Sequence, residues 1–223
     1  MKFQPDYSEI EAFYSTRYSQ WGYSPKSLGW DKGNQSVRFD VLTSHYHFEK
    51  KSVLDIGCGF GDLVDVLMKK ASCFEYTGID LSEEFVQRAA QLHSQSHCTF
   101  LQQDILTFLP QRKFDYAIAS GTFNLKLQGV DQYEFIEDVI KKALQLCTDG
   151  FAFDFLSDKV DYRKDETFHY SPEKILSIAY KYSRNVMLRN DYMPFEFSLF
   201  LSKDDSFEKH DTLFCKYKSE QNL

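Results

Sequence analysis

The sequence predicts a doubly wound α/β fold, in which a seven-stranded and mostly parallel sheet carries helices on both faces and a helical cap at the N-terminus. Two observations lead to this prediction. Over residues 51–202, short apolar runs of strand length alternate with segments whose apolar residues recur at helical spacing. Such alternation favours parallel pairing of the strands. Residues 1–50 are rich in aromatic side chains, which predicts that this segment packs on the core as a cap.

Seven apolar runs predict the strands, and these are residues 52–56, 74–79, 99–101, 114–119, 151–156, 186–189 and 195–201. Polar capping residues mark where four of the helices begin, and these are Asn34, Ser82, Asp131 and Ser171. The helix after Asn34 is expected over about residues 35–47. Residues 203–223 are polar and predict either a loose tail or an edge helix.

The composition argues against several classes of protein. The formal charge is 26 − 33 = −7, and a chain this acidic lacks the basic surface that phosphate-backbone binding needs, so no nucleic-acid partner is expected. The longest unbroken apolar run, residues 116–119, is far too short to cross a bilayer, so no membrane partner is expected. Acidic residues near the N-terminus have no apolar stretch behind them and do not resemble a secretory signal.

The cysteines and histidines predict neither disulfides nor a metal site. Five cysteines are scattered without Cys-x-x-Cys spacing, which favours reduced thiols and a cytoplasmic location. The neighbouring histidines His45 and His47 have no carboxylate partners at metal-binding spacing. We therefore predict no metal. The oligomeric state is not predicted.

The most informative stretch is a glycine turn that follows the first predicted strand. Gly57, Gly59 and Gly61 occupy alternate positions between that strand and the next helix. Glycines at Gly57 and Gly59 let the backbone turn tightly and let a ligand lie against it. Nineteen residues after Gly61, Asp80 ends the second predicted strand, where a carboxylate can accept both hydroxyls of a ribose.

Two classes of ligand use this arrangement. The dinucleotide fingerprint needs a third glycine at the sixth position counted from Gly57, and this chain has Asp62 there. An acid at that place would repel a pyrophosphate. A ligand with ribose and adenine but no phosphate fits better, so a nicotinamide-dependent oxidoreductase remains the weaker alternative.

These residues resemble those of the class I S-adenosylmethionine-dependent methyltransferases. The glycine motif is similar to residues 53–61, the ribose acid to Asp80, the acid after strand three to Asp104, and the strand-four segment to residues 114–120. The resemblance implies a Rossmann-like methyltransferase fold whose last two strands are antiparallel to each other. It also implies S-adenosylmethionine as the cofactor and S-adenosylhomocysteine as its product.

The resemblance assigns roles to particular residues. Those expected to face the methionine part of the cofactor are Asp55, Gly57, Cys58 and Gly59. Asp80 with Leu81 would hold the ribose, and Asp104 with Ile105 would hold the adenine. The Ser120 backbone would close over the sulfonium. Arg38 would pair with the methionine carboxylate, although an exposed ion pair is an equal alternative.

Candidates for the acceptor site follow strands four, five and six. Asn124 could orient a nucleophile, although the prolines that follow the corresponding residue in many amino-group methyltransferases are missing here. His169 is the candidate general base, because an imidazole is partly neutral at pH 7. The candidate pocket residues are Phe123, Tyr162, Tyr170, Tyr192 and Glu196.

Together these features predict methyl transfer from S-adenosylmethionine to a small-molecule acceptor by in-line displacement. Holding both reactants in near-attack geometry supplies the largest share of such catalysis. A base is needed only where the acceptor must lose a proton. The alternative from another class is a catalytically silent, methyltransferase-like scaffold subunit. The expected organisation is a cap over 1–50, a cofactor-binding core over 51–202 and a tail over 203–223.

Overall fold

A computed structural model describes residues 5–29, 35–204, 207 and 212–221. Its helices are α1 (Ser8–Trp21), α2 (Gln35–Leu42), α3 (Leu63–Lys70), α4 (Glu83–Leu92), α5 (Gln132–Leu146), α6 (Pro172–Ala179) and α7 (Leu213–Gln221), with a 3-10 turn at Pro25–Leu28. Its strands are β1 (Lys51–Ile56), β2 (Phe74–Asp80), β3 (Cys98–Gln102), β4 (Phe114–Ala119), β5 (Cys147–Leu156), β6 (Val186–Arg189) and β7 (Glu196–Ser202).

Within the described residues the strands form one sheet in the order β3-β2-β1-β4-β5-β7-β6. Strand β7 runs antiparallel to both of its neighbours, and the remaining pairs are parallel. The predicted doubly wound sheet with one antiparallel strand is confirmed. The direction of crossover reverses between β1 and β4, so a crevice opens beyond the carboxyl ends of these two strands, where ligands bind in such folds.

Polar side chains begin three of the predicted helices. The Ser82 hydroxyl accepts the N–H of Phe85, and Ser171 caps α6 with a proline at the first helical position. The Asp131 carboxylate accepts two backbone N–H groups at the start of α5. These bonds satisfy donors that a helix start leaves without partners, so they fix where each helix begins.

Three element boundaries differ from the predictions. Helix α2 ends at Leu42 rather than near residue 47, because the hydroxyls of Thr43 and Ser44 donate to the carbonyls of Phe39 and Val41 and compete with the helix pattern. Strand β5 begins at Cys147, directly after α5. The tail contains α7. The proposed cap residue Asn34 lies outside the described residues.

The sheet separates two layers of apolar side chains. One layer joins α5 and α6 to the sheet and includes the phenylalanines of β5, and the other joins α2 and α3 to the opposite face. The N-terminal segment adds aromatic contacts at the crevice, where Tyr14 and Tyr18 pack edge-on against Phe85. Among the described helices, none is long and apolar enough to cross a membrane.

Candidate functional site

Two adjoining cavities open at the carboxyl edge of the sheet. The first, of about 1130 Å³ including its open mouth, is lined by the loop after β1 and by the ends of β2, β3 and β4. Helix α1 and the segment before it cover part of this cavity with Tyr7 and Tyr14. The second cavity shares Tyr14, Leu28, Gly121 and Leu125 with the first, so the two adjoin along one boundary.

The glycine turn forms the floor of the first cavity. Gly57 and Gly59 have φ angles of 70° and 54°, which L side chains rarely adopt. A Cβ on Gly57 would also lie 2.6 Å from the Cγ2 and Oγ1 atoms of Thr122. The turn therefore presents bare backbone to the cavity, as the sequence predicted.

Asp80 lies at the end of β2 and lines the first cavity. Its Oδ2 atom accepts the N–H of Gly59 at 2.9 Å, and its Oδ1 atom accepts the N–H of Ser82 at 2.9 Å. Each carboxylate oxygen keeps a further lone pair for a ligand hydroxyl. Burial raises the pKa of Asp80, while these backbone bonds oppose the rise.

Asp104 lines the same cavity beside Ile105, near the end of β3. Its Oδ1 atom accepts the N–H of Leu106 at 2.9 Å and the hydroxyl of Tyr7 at 3.3 Å. Both of these bonds go to one oxygen, and a carboxylate has a second oxygen with its own lone pairs. The bonds to Oδ1 hold the Asp104 side chain in place, and Oδ2 can still accept a hydrogen bond from a ligand.

Asp55 is a buried carboxyl at the end of β1. Its Oδ2 atom accepts the hydroxyl of Tyr76 at 2.6 Å. Burial raises the pKa of Asp55 to about 7, and the charges of Asp80 and Asp62 push it in the same direction. A cation brought close to this carboxyl would reverse the rise.

We expect Asp55→Asn to raise the free energy of unfolding of the ligand-free protein by about 1 kcal/mol at pH 8 and by less at pH 6. The folded-state pKa of Asp55 lies above its unfolded value, so its contribution to stability is lost as the pH rises through about 7. The asparagine oxygen keeps the bond from Tyr76. Urea titrations of both proteins at the two pH values measure the effect. An unchanged pH dependence in the variant would show that Asp55 is not the responsible group.

Cys58 is the only cysteine among the described residues that line the first cavity. The side chain is buried. Burial, with the charges of Asp80 and Asp55, raises the pKa of Cys58 well above that of a free thiol. Cys58 is therefore a neutral thiol at physiological pH.

The described lining of the first cavity is acidic. It contains four carboxylates, which belong to Glu11, Asp55, Asp80 and Asp104, and no lysine, arginine or histidine. Asp62, the acid that was expected to repel a pyrophosphate, is not among the residues that line this cavity. The four carboxylates nevertheless disfavour a phosphate and favour a ligand with a positive charge.

The second cavity differs from the first in its charge, because both basic and acidic side chains line it. Its basic side chains include Arg17, Arg38 and Lys164, and its acidic ones are Glu166 and Glu196. The apolar part of the wall is formed by Phe13, Leu28, Leu125, Leu156, Val160, Met193, Pro194 and Phe195. Tyr162 stands at the rim, 58% exposed.

One wall of the second cavity carries Asn124, Thr167 and His169. The His169 Nδ1 atom lies 2.7 Å from the Ser157 carbonyl, which can only accept, so Nδ1 carries a hydrogen, and in the neutral imidazole the lone pair is then on Nε2. The Thr167 hydroxyl lies 3.1 Å from Nε2 and 3.0 Å from the Lys164 carbonyl, and its single hydrogen can be donated to only one of them. The Asn124 Oδ1 atom is buried with no hydrogen-bond partner among the described residues.

The loop between β5 and α6 is fixed at both ends, which positions this wall. The Phe168 N–H donates to the Asn124 carbonyl at 2.9 Å and the Lys126 N–H donates to the Glu166 carbonyl at 3.0 Å. At its ends, the loop bridges from Ser157 to Tyr170. His169 and Asn124, which are far apart in sequence, are thereby brought to one surface.

Three predicted site residues are placed differently from the expectation. Tyr170 is fully buried against Phe155 and lines neither cavity, which corrects its assignment to a substrate pocket. Tyr192 also lines neither cavity, and its hydroxyl accepts from Ser198 at 2.9 Å. Arg38 is in the second cavity rather than the first, in a buried ion pair with Glu196.

The remaining candidates are divided between the two cavities, and Phe123, which was predicted for the acceptor pocket, lies in the first. Phe123 lines the first cavity and stacks on Phe155 in the core. Those of the cofactor set that line the first cavity are Asp55, Gly57, Cys58, Gly59, Asp80, Leu81, Asp104, Ile105 and Ser120. Sequence reasoning missed Tyr7, Tyr14 and Thr167. Thr167 had a usable signal, because residues two apart in an extended segment share a face with each other and therefore with His169.

Comparison with known proteins identifies the family. The model of the methyltransferase domain family matches residues 47–183, which include every strand from β1 to β5. The chain belongs to the class I S-adenosylmethionine-dependent methyltransferases. The Mycobacterium tuberculosis protein Rv1506c, itself only provisionally named a methyltransferase, is 32% identical over 158 residues, which are 68% of this chain and 93% of that protein.

Solved methyltransferase structures share the fold. The magnesium protoporphyrin IX methyltransferase of Synechocystis PCC 6803 with bound S-adenosylhomocysteine has a TM-score of 0.67 at 16% identity, covering 89% of this chain and 100% of that one. The N-methyltransferase NodS of Bradyrhizobium japonicum WM9 with the same ligand has a TM-score of 0.60 at 15% identity, covering 88% and 97%. At such identities the likeness concerns the fold.

As a methyltransferase of this class, the protein uses S-adenosylmethionine as its cofactor, and the first cavity has the chemistry to accept it. The turn at Gly57 leaves no room for a side chain, Asp80 keeps free lone pairs, and the acidic lining suits a cationic sulfonium compound. Among the described residues, no group of three or more His, Cys, Asp or Glu side chains could hold a metal ion.

Proposed function

We propose that this methyltransferase holds S-adenosylmethionine in the first cavity and methylates a small molecule held in the second. One observation carries the proposal. The second cavity is built from the chain's own side chains and meets the first along Tyr14, Leu28, Gly121 and Leu125. An acceptor placed there would stand beside the cofactor without any further subunit.

The first-cavity residues have distinct tasks in this proposal. Asp80 would accept the ribose hydroxyls while both of its oxygens remain fixed by backbone N–H groups. Asp104 with Ile105 would hold the adenine. Asp55 and the backbone of the glycine turn would face the methionine part, where the buried carboxyl favours a positive charge.

When bound, the cofactor supplies an electrophilic methyl group and a neutral sulfide as leaving group. The chain's contribution is then mainly to position the acceptor, because a well-oriented pair of reactants reacts far faster than a free pair. The buried Asn124 Oδ1 atom is suited to accept a hydrogen bond from the acceptor's N–H or O–H. The Nε2 atom of His169 is suited to take a proton from that group, with the Thr167 hydroxyl between them.

The nature of the second cavity supports a small acceptor. Its wall combines apolar side chains with polar and charged groups that converge on one space, and an enclosed site of this kind suits a small molecule that carries polar groups. The net charge of −7 disfavours a nucleic-acid acceptor. A silent scaffold would not need the glycine turn or Asp80, and both are intact in this chain.

Incubation of the full chain with methyl-labelled S-adenosylmethionine and separated cell-extract fractions tests the proposal. We expect label in the small-molecule fraction, and we expect none with the Asp80→Asn variant, which should not hold the cofactor. Label that enters only the protein or RNA fraction would overturn the proposal of a small acceptor. Absence of label from all fractions, despite measured cofactor binding, would favour the scaffold alternative.

A further inference from the structure

A buried charged cluster lies beneath the boundary of the two cavities. Its centre is Asp154, which is 2% exposed and follows Phe153 and precedes Phe155 in β5, so that its side chain points to the sheet face opposite their rings. Asp154 lines neither cavity. A carboxylate in such a position is costly unless its neighbours satisfy it, so its partners indicate its role.

On the side of the first cavity, Asp154 holds a backbone turn. Its Oδ1 atom accepts the N–H of Gly121 at 2.6 Å, and its Oδ2 atom accepts the hydroxyl of Ser120 at 2.9 Å. Ser120 lines the first cavity and Gly121 lines both. The carboxylate thus fixes the wall that separates the cofactor from the second cavity.

On the side of the second cavity, Asp154 lies on the same face of the sheet as Glu196, because it is opposite Ser198 in the antiparallel pairing of β5 with β7 and Glu196 is two residues from Ser198. Glu196 in turn forms the buried pair with Arg38. Arg38 on α2 stabilises the charge of Asp154, whereas Glu196 on β7 opposes it. The hydroxyl of Tyr192, between β6 and β7, also faces this carboxylate. Two buried carboxylates therefore interact with one guanidinium, and Arg38 is shared between them.

The charge of Asp154 is consequently sensitive to its surroundings. Burial raises the pKa of Asp154 to about 6, with Glu196 adding to the rise and Arg38 opposing it. When protonated, the carboxyl loses one of its acceptor positions and cannot hold the N–H of Gly121 and the hydroxyl of Ser120 as well as before.

We infer that Asp154 is a positioning residue that couples the two cavities, because its charge holds the turn of Ser120 and Gly121 against the cofactor and depends on Arg38 and Glu196 in the second cavity. A ligand that drew Arg38 or Glu196 toward itself would change the cofactor affinity. By linkage, the cofactor would change the affinity for that ligand by the same factor. The inference rests on cofactor binding and does not depend on which molecule occupies the second cavity.

Calorimetric binding of S-adenosylhomocysteine between about pH 5 and pH 8 tests this inference. Asp55 and Asp80 titrate in the same cavity, so the informative quantity is the difference between each variant and the unaltered protein. We expect Asp154→Asn to bind about tenfold more weakly at pH 7.5 and to lack the loss of affinity that the unaltered protein shows below about pH 6.

A second variant separates coupling from local damage. Glu196→Gln does not touch the first cavity, yet it removes the charge that favours protonation of Asp154. We expect it to bind S-adenosylhomocysteine about threefold more tightly than the unaltered protein at pH 5.5, with little difference at pH 8. Glu137→Gln, an acid on the outer face of α5, is the matched control and should leave the affinity unchanged at every pH.

Thermal unfolding of each variant shows whether it is folded under the conditions of binding. If Asp154→Asn is folded and binds with unaltered affinity and pH dependence, Asp154 has only a structural role. The coupling is equally overturned if Glu196→Gln leaves the binding curve at low pH unmoved. A weaker Asp154→Asn together with a shifted Glu196→Gln supports the inference, whether or not an acceptor has been found.

Discussion

Asp80→Asn is expected to weaken S-adenosylhomocysteine binding by about a hundredfold or more. Both oxygens of Asp80 accept backbone N–H groups, from Gly59 and Ser82. An asparagine amide has one oxygen and one NH₂, so in either orientation it directs a donor at a backbone donor. Hydrogen bonds to a charged group are worth about 1.5–3 kcal/mol each, and the variant also loses the charge that would accept ribose hydroxyls.

Thermal unfolding with added ligand gives a direct measurement. S-adenosylhomocysteine should raise the melting temperature of the unaltered protein, whereas NAD should not, and Asp80→Asn should abolish the rise. Asp131→Asn is a matched control, because Asp131 also accepts two backbone N–H groups, at the start of α5, but lines neither cavity. Asparagine is an equally good cap there. A variant of Asp80 that retained most of its affinity would contradict the assigned role.

His169→Asn is expected to lower kcat about a hundredfold with whichever acceptor the labelling experiment identifies. Asparagine can still donate an N–H toward the Ser157 carbonyl, which keeps the loop in place. It has no basic nitrogen at the position of Nε2. The affinity for S-adenosylhomocysteine should change little, because His169 does not line the first cavity.

Three further variants define what a loss of activity means. His47→Asn replaces an exposed histidine remote from the second cavity's lining and should retain full kcat. Thr167→Ser keeps the hydroxyl beside Nε2, whereas Thr167→Val removes it, so only the valine variant should be slow. If His169→Asn retained its kcat, the acceptor would need no base from this chain and the enzyme would act by positioning alone.

Much of the cofactor cavity follows from local sequence. The glycines after β1 and the acids near the ends of β2 and β3 belong to one short motif each, and the strand ends of a doubly wound sheet lie together at one edge. The positions of these motifs in the sequence therefore determine where Asp55, Asp80 and Asp104 lie. The same reasoning gave the capped starts of α4, α5 and α6, since each depends on residues within one turn.

Residues whose placement depends on distant partners were not predicted correctly. Tyr170 and Tyr192 were expected in a pocket because they occupy loops near it, but Gln132 and Ser198 hold their hydroxyls elsewhere. Arg38 finds Glu196, 158 positions away in sequence. No periodicity or spacing in one sequence reveals such a pair.

Asp154 shows the opposite case, in which a signal was present but not used. A lone acid inside the aromatic run of residues 151–155 is unusual, because a charge in a buried strand needs partners. The turn before Asn124 supplied those partners. Only the parallel pairing of β4 with β5 brings that turn and this acid together.

The buried thiol of Cys58 has a chemical consequence for an enzyme that handles a reactive methyl donor. Sulfur nucleophiles attack electrophilic carbon as thiolates, and the surrounding carboxylates together with burial keep this sulfur protonated. With the cofactor bound in the first cavity as proposed, the glycine turn would carry a cysteine next to an alkylating agent without being alkylated itself. The acidity that suits the cofactor cavity to a cation also protects the protein from its own reagent.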